Sequence, residues 1–398
     1  MNAQRAYLGL TDKVCLFFRK PIFSDRSFLL ALSVIIPIIT FLCRLPHHNN
    51  YLIFRGVFWH AYEGVSLYAE YPNEYFDTNY YGPLFSLVIA PFSLLPHYVG
   101  FLFWQVALSV FYCYAVRNLP LKHLQKVAIF WIAANDLINA LLMQQFNVAI
   151  AAMIILTYSC IEREKDFWAA LCIVAGAFIK IYGIVGLAFF LFSKHKGKLV
   201  LSILFWGIVA FLAPMIITSP GYIMDQYAEW FQRLAYKNKA NYFAWHQNIS
   251  FLGIVRKISG SSSYSDLWFI VPAIILFVMP YTRFSQYKYP AFRIMFLASV
   301  LMFVILFSTG SETSGYVYAL TGVAIWYVAV PWKRSKWDVA LLVFVLLISS
   351  FSSSGIIPRS IYKGFIAPYA LKALPCTIVW LKLCYEMMTR DYKSLGES

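Results

Sequence analysis

Charged residues are scarce in this chain, and their scarcity excludes most classes of soluble protein. Of the 398 residues, 13% are charged and 61% are hydrophobic, whereas a soluble domain has about 25% charged and about half apolar residues. Such a chain has too little polar surface to cover a water-soluble fold. The composition excludes a disordered protein, a soluble nucleic-acid-binding protein and a secreted disulfide scaffold, and it indicates an integral membrane protein.

Sequence motifs for metal or phosphate-loop chemistry are absent as well. The chain has no HExxH motif, no Gly-rich phosphate loop and no Cys or His spacing typical of a metal site. None of its seven cysteines pairs with another in a predicted outer loop, so a disulfide framework is not expected. We therefore expect neither a metal ion nor an organic cofactor.

Long apolar runs take the place of these motifs. They predict an all-α fold, a single integral membrane domain over residues 1–398 with about 10–12 membrane segments. Several runs are shorter than the roughly 20 residues of a straight span, so some are expected to be broken or re-entrant, above all the pair beside Lys180. The twelve runs are 28–43, 98–116, 124–143, 146–161, 167–179, 181–192, 199–218, 267–279, 291–308, 316–330, 339–353 and 367–387.

The 33 Lys and Arg residues are unevenly distributed between the predicted loops. About two thirds fall in the short loops of one side, which by the positive-inside rule is cytoplasmic. Both termini, 1–27 and 388–398, are then cytoplasmic, and two long polar loops, 44–97 and 219–266, lie outside. We expect an integral protein of the bacterial inner (plasma) membrane, with most of its +15 net charge serving topology.

The first outer loop concentrates groups that could act as acids and bases, among them His60, Glu74 and Asp77. Apolar positions between 53 and 62 recur at helical spacing, and 84–95 is a second apolar stretch containing Pro91. Both stretches predict short helices that lie in the membrane interface.

Ordered motifs along the chain resemble those of glycosyltransferase family 87. The pattern from Asn50 through Gly64 to Tyr68, followed by YYGPLFSLVIAPFSLLP and Trp104, is similar to the first-loop signature of that family. Further matches to its motifs are Gln145 and Asn147 in a Gln-x-Asn pattern, Lys180 at a span end, and Asn248, Ser250, Gly253 and Arg256 in an Asn-x-Ser-x-x-Gly-x-x-Arg pattern.

The best-known members of this family are polyprenol-phosphate-mannose-dependent alpha-(1,2)-mannosyltransferases. The resemblance implies a C-type glycosyltransferase fold with its site on the non-cytoplasmic face. It also implies transfer of a mannose-like hexose from a polyprenyl-phosphate donor to a lipid or glycan acceptor in the bilayer, with no nucleic-acid partner. Inversion by single displacement needs one base to take the proton of the acceptor hydroxyl.

The position of the family's catalytic Asp is occupied here by Asn50, and an amide is not a useful base. Three alternatives follow: a neighbouring Asp77, Glu74 or His60 does that work, the alignment with the family is shifted at this position, or the chain does not catalyse this reaction. Asp77 is favoured because its segment leads into the turn at Gly82; the alternative is a turn or helix-capping residue.

The other matching residues have roles implied by the resemblance, each with a structural alternative. Lys180, Arg256 and Lys257 would bind the donor phosphate; snorkelling or neutralisation of lipid headgroups are the alternatives. Sugar or acceptor contacts would come from Gln145, Asn147, Trp245, His246, Asn248 and Glu312; interhelical contacts, an interfacial aromatic belt or a polar turn are the alternatives.

Two non-enzymatic functions remain open at this point. One is a transporter or flippase of lipid-linked glycans, and the other is a degenerate family member that assists assembly of a glycan pathway. Transporters commonly have related halves with helices broken at matching positions. We find no such repeat, and the polar residues lie at one face, which favours a glycosyltransferase.

Overall fold

A computed structural model describes residues 20–393, which form helices and no strand. The all-α prediction is confirmed. The α-helices are α1 (Arg26–Arg44), α2 (Asn49–Glu63), α3 (Phe85–Ser93), α4 (His97–Arg117), α5 (His123–Leu142), α6 (Asn147–Glu162), α7 (Asp166–Ile179), α8 (Lys196–Leu212), α9 (Pro220–Ala240), α10 (Phe251–Ser259), α11 (Leu267–Val278), α12 (Pro290–Leu306), α13 (Tyr316–Val328), α14 (Lys336–Phe344), α15 (Arg359–Ile361) and α16 (Ala373–Thr389). The 3-10 segments are Pro21–Ser24, Ile181–Phe192, Ala213–Ile216, Met279–Thr282, Phe284–Gln286, Thr313–Gly315 and Phe351–Ser353, and the π-helical segments are Val345–Ser350 and Tyr362–Ile366.

The helices fall into long spans and shorter apolar pieces. Four stretches are long and apolar enough to cross a membrane, namely Arg26–Arg44, His97–Arg117, Lys196–Ile216 and Lys336–Ser353. The shorter apolar helices include α6, α7 and α12, as the short runs in the sequence predict. The cytoplasmic placement of both termini stays a prediction, and residues 1–19 and 394–398 lie outside the described part of the chain.

Three helices form the centre of the bundle. Every residue of α13 from Tyr316 to Trp326 is buried, and most of α6 and α12 is buried on all sides. Helices that are apolar all round occupy such interior positions. By contrast, most of the α1 and α8 surface is not covered by other helices, so these two helices face lipid.

Both short helices predicted in the first outer loop are present, as α2 and α3. Their setting differs from the expectation of helices that lie on the membrane interface. Ile53, Val57 and Phe58 of α2 are buried against the rest of the protein, and Tyr62 alone of the spaced positions is exposed. The apolar face of α2 therefore packs within the bundle, where α3 is one of its neighbours.

Helix α7 and the 3-10 segment after it form a tight hairpin. At its open end, Ser193 Oγ donates a hydrogen bond to Asp166 Oδ1 at 2.6 Å. A Cβ on Gly183 would lie 2.3 Å from the carbonyl carbon of Gly176, so the two backbones touch where small residues permit it. The 14 residues of α7 span about 21 Å, less than the roughly 30 Å of a bilayer core. This broken span places Lys180 at the closed tip of the hairpin.

Candidate functional site

The tip of the hairpin is covered by the first outer loop. The backbone N–H of Gly82 donates to the carbonyl oxygen of Ile179 at 2.8 Å. A Cβ at position 82 would lie 2.1 Å from the carbonyl oxygen of Phe178, so this approach requires glycine. The turn that the sequence marks at Gly82 is thus the point where the loop rests on the residues before Lys180.

The ammonium of Lys180 is surrounded by uncharged groups. Its Nζ donates to Oδ1 of Asn147 at 2.6 Å and lies 5.5 and 5.2 Å from the ring centroids of Tyr81 and Tyr182. Within residues 20–393 it forms no direct ion pair with a carboxylate. Contacts with ring faces favour the charged form without neutralising it, so an anion could still bind there.

Glu312 lies on the opposite side of the Asn147 amide. Nδ2 of Asn147 donates to Oε1 of Glu312 at 3.2 Å and to Oγ of Ser314 at 3.0 Å. Ser314 Oγ donates to the same carboxylate at 2.7 Å, and Gln247 Nε2 donates to its other oxygen at 3.2 Å. Asn147 therefore bridges a cation and an anion, and the structure brings three predicted site residues, Lys180, Asn147 and Glu312, into one array.

The segment that follows α5 connects this array to the first outer loop. Tyr81 donates its hydroxyl hydrogen to Oε1 of Gln145 at 2.9 Å. Asn50 Nδ2 donates to the carbonyl oxygen of Met143 at 2.8 Å. Asn50 and the Gln-x-Asn motif thus lie side by side, although about 95 residues separate them in the sequence.

Asp77 lies on an exposed bend that Asn49 contacts. Asn49 fixes the bend, because its side chain both donates to the carbonyl oxygen of Phe76 at 2.6 Å and accepts from the Phe76 N–H at 2.8 Å. Oδ1 of Asp77 accepts from the Thr78 N–H at 2.8 Å and from the Tyr80 hydroxyl at 3.2 Å. Its other oxygen, Oδ2, accepts no hydrogen bond from the described residues, and the residue is exposed.

Two cations of α9 face the same bend, and no motif in the sequence predicts them. Arg233 donates from Nε and Nη2 to Oγ1 of Thr78 at 3.2 and 2.8 Å. Lys237 Nζ lies 4.3 Å from the centroid of the Tyr80 ring. Their spacing of four residues, which places both on one face of a helix, is the signal that could have found them.

Glu74 and His60 pair with each other instead of joining this group. Their Oε2 and Nε2 atoms are 3.1 Å apart, and the His60 ring stacks on Tyr71 with centroids 3.8 Å apart. His60 is buried, whereas Glu74 is half exposed. The pKa of the Tyr75 hydroxyl is raised, mainly because the group is buried and to a smaller extent because the Glu74 carboxylate is near. The contacts of this pair include none of Asp77, Lys180 and Glu312.

The second outer loop contributes mostly structural contacts. Asn248, with φ of 52°, is fully buried and accepts from Ser250 Oγ at 2.8 Å. Arg256 is 0% exposed, pairs with Asp266 at 2.5 Å and stacks on Tyr242. The structure thus encloses these two residues, expected to bind sugar and phosphate, and most of their polar groups bond within the loop.

Other predicted residues of this loop stay accessible or close to the array. Trp245 and His246 are both exposed. Lys257 Nζ donates to the carbonyl oxygen of Gln247 at 3.1 Å, and burial lowers the pKa of this ammonium. Because Gln247 also contacts Glu312, Lys257 lies one residue away from the array.

The comparison with family models decides the class of this site. A model described as glycosyltransferase family 87 matches residues 79–309, more than half of the chain. The chain belongs to glycosyltransferase family 87. With its apolar helices, this membership makes it a membrane glycosyltransferase. No curated protein matches the sequence. The family 87 match includes Gln145, Asn147, Lys180 and Arg233, whereas Asn50, Asp77 and Glu312 lie outside it.

Proposed function

We propose that this family 87 protein transfers a mannose-like hexose from a polyprenyl-phosphate donor to a lipid or glycan acceptor on the non-cytoplasmic face, with inversion. The observation that carries the proposal is the ammonium of Lys180 at the tip of a broken span. Its direct partners within residues 20–393 are the Asn147 amide and two tyrosine rings, and the nearest carboxylate, Glu312, is reached only through Asn147. A cation in such a place is costly unless an anion joins it. The phosphate of a lipid-linked sugar supplies that anion.

The depth of the hairpin tip suits a lipid-linked donor better than a water-soluble one. An isoprenoid chain stays among the lipid acyl chains, so its phosphate reaches the protein at the edge of the bilayer. Lys180 would bind this phosphate from within the bundle, and Arg233 and Lys237 would approach it from the loop side. Two of these cations already contact the Asp77 bend through Thr78 and Tyr80.

The chemical step needs one base and a stabilised leaving group. Oδ2 of Asp77 would take the proton of the acceptor hydroxyl while that oxygen attacks the anomeric carbon of the hexose. The bond between this carbon and the phosphate oxygen breaks, and its electron pair leaves with the polyprenyl phosphate. Lys180 and Arg233 would stabilise the charge that develops there. A single displacement inverts the anomeric configuration.

Polar residues beside Lys180 would bind the hexose and the acceptor. Glu312 and Gln145 offer hydrogen-bond acceptors at two sides of the array, and Asn147 keeps the carboxylate and the ammonium apart. Trp245 is 47% exposed and offers an aromatic face on which a sugar ring could stack, with His246 beside it.

The proposal is tested with purified protein in lipid bilayers, supplied with radiolabelled polyprenyl-phosphate hexoses or nucleotide sugars and with candidate acceptors. We expect product from the lipid-linked donor alone. Lys180→Met should lower kcat/KM about 10- to 100-fold, because a hydrogen bond to a charged group contributes about 1.5–3 kcal/mol. Lys239→Met removes an exposed cation of the second outer loop and should leave the rate unchanged.

Either of two results would contradict the proposal. Turnover of nucleotide sugars at the same rate as the polyprenyl-phosphate hexose would contradict the assignment of a lipid-linked donor. No product with any donor, from protein that is folded, would instead support one of the two non-enzymatic functions, the flippase or the assembly role.

A further inference from the structure

A second cleft lies at the end of the bundle opposite the Lys180 array. Helices α1, α4 and α5 enclose a cavity of about 410 Å³, within the size range of small-molecule sites. Leu30, Val110, Tyr114 and Phe130 are among its apolar walls. Leu30, Val110 and Tyr114 are also exposed on the outside of the bundle. The cleft therefore opens sideways, toward the acyl chains of the bilayer.

The rim of this cleft is cationic. Arg26 begins α1, Arg117 ends α4 and Lys126 lies in the first turns of α5, and all three line the cavity. Lys126 Nζ donates to the carbonyl oxygen of Arg117 at 2.8 Å. Within residues 20–393 the two guanidinium groups have neither a hydrogen bond nor an ion pair. Three positive charges thus meet without a carboxylate partner.

The nearest acidic residue in the sequence does not neutralise this rim. Oδ1 of Asp25 accepts a hydrogen bond from the backbone N–H of Phe28 at 2.8 Å and so caps the N-terminus of α1. Residues 1–19 contain three cations and the single acidic residue Asp12. By charge, an anionic ligand therefore suits the rim better than this segment does.

We propose that this cleft binds an anionic phospholipid of the surrounding bilayer. Its phosphate would lie among Arg26, Arg117 and Lys126, and one acyl chain would follow the wall formed by Leu30 and Val110. Basic pockets between membrane helices bind such headgroups in other proteins. This site is separate from the transferase site and does not depend on the proposed function.

The test measures lipids retained by the full-length protein, taken from bilayers of equimolar phosphatidylglycerol and phosphatidylcholine and analysed by native mass spectrometry. We expect one retained phosphatidylglycerol. A cation near the surface contributes about fivefold to lipid binding, so Arg26→Gln, Arg117→Gln and Lys126→Gln together should lower retention on the order of a hundredfold. The matched control removes three cations outside the cleft, Lys198→Gln, Lys288→Gln and Lys333→Gln, and should retain the lipid.

A second pair of variants leaves the rim intact. Val110→Trp fills the cleft and should lower phosphatidylglycerol retention as the triple variant does, which separates occupancy from bulk charge. A photocrosslinking benzoylphenylalanine at the same position should form adducts with phosphatidylglycerol.

Four results would overturn the proposal. They are equal retention of the two phospholipids by the wild type, equal loss in the control variant, displacement of phosphatidylglycerol by an equimolar polyprenyl phosphate, and crosslinks to residues 1–19 in place of lipid.

Discussion

The charge of Asp77 can be removed without disturbing the bend that carries it. Its φ of 76° is a left-handed conformation, which Asp and Asn tolerate better than other non-glycine residues. Asp77 Oδ1 accepts from the Thr78 N–H and the Tyr80 hydroxyl at 2.8 and 3.2 Å, and the amide oxygen of an Asn at this position can accept the same two hydrogen bonds. Asp77→Asn therefore removes the carboxylate proposed as the base and leaves the loop as it is.

The expected loss follows from the role of a general base. Such a base contributes about 10²- to 10⁴-fold to the rate, which corresponds to about 3–5 kcal/mol of the activation barrier. We expect kcat of Asp77→Asn to fall by this factor. The KM for the donor should change less than about threefold, because the cations proposed to bind the phosphate, Lys180 and Arg233, keep their contacts.

The assay is steady-state transfer from a radiolabelled polyprenyl-phosphate hexose at varied donor concentration in reconstituted bilayers, with thermal unfolding of each variant as a check of the fold. Glu74→Gln is the matched control: it removes a carboxylate of the same loop, 51% exposed and paired with His60. It should change kcat less than about threefold.

The reasoning is refuted if Asp77→Asn keeps more than a tenth of the wild-type kcat. A large loss in Glu74→Gln together with a small loss in Asp77→Asn would move the base to the pair of Glu74 and His60. A full loss in Glu312→Gln alone would move it to the array beside Lys180.

Three further predictions concern the fold around the site and the membrane topology. Gly82→Ala should lower the free energy of unfolding by about 1–3 kcal/mol and reduce activity, because its Cβ would overlap a backbone carbonyl of α7. Gly221 has open space around it, so Gly221→Ala should change neither stability nor activity in the same unfolding and transfer assays. Arg256→Met should lower the free energy of unfolding by about 3 kcal/mol, which is the lower end of the range for a broken buried ion pair. Adding Asp266→Asn should recover part of that free energy, measured by chemical unfolding. Full stability together with lost donor binding would instead support a phosphate contact of Arg256. An alkaline phosphatase reporter fused after the last residue should be inactive, since the C-terminus is predicted to be cytoplasmic, and an active reporter would contradict the even number of spans.

The helices could be predicted from the sequence because apolar periodicity determines them locally. The runs at 98–116 and 316–330 correspond to α4 and α13 within one or two residues. The setting of α2 could not be predicted in this way. Its spaced apolar residues fit equally well against lipid or protein, and only the tertiary fold brings α3 against them.

The candidate site could be predicted in part, through residues whose polarity is unusual for a membrane span. Lys180, Asn147 and Glu312 stand out within or beside apolar runs, and they do meet in space. Arg256 stands out for the same reason, yet its charge is enclosed with Asp266. Sequence shows that a buried charge needs a partner, but it does not show whether that partner is a substrate or a neighbouring carboxylate.

The difference between these two cations lies in what separates each from its carboxylate. Arg256 contacts Asp266 directly at 2.5 Å, so each charge neutralises the other and little remains for a ligand. Between Lys180 and Glu312 lies the amide of Asn147, which accepts from the ammonium and donates to the carboxylate. Asn is suited to this place because one side chain carries both a donor and an acceptor. An Asp at position 147 would form an ion pair with Lys180 and repel Glu312. An Ala there would allow Lys180 and Glu312 to form a direct ion pair. In the proposed reaction, the amide would thus keep a cation for the phosphate and an acceptor for sugar hydroxyls within one array.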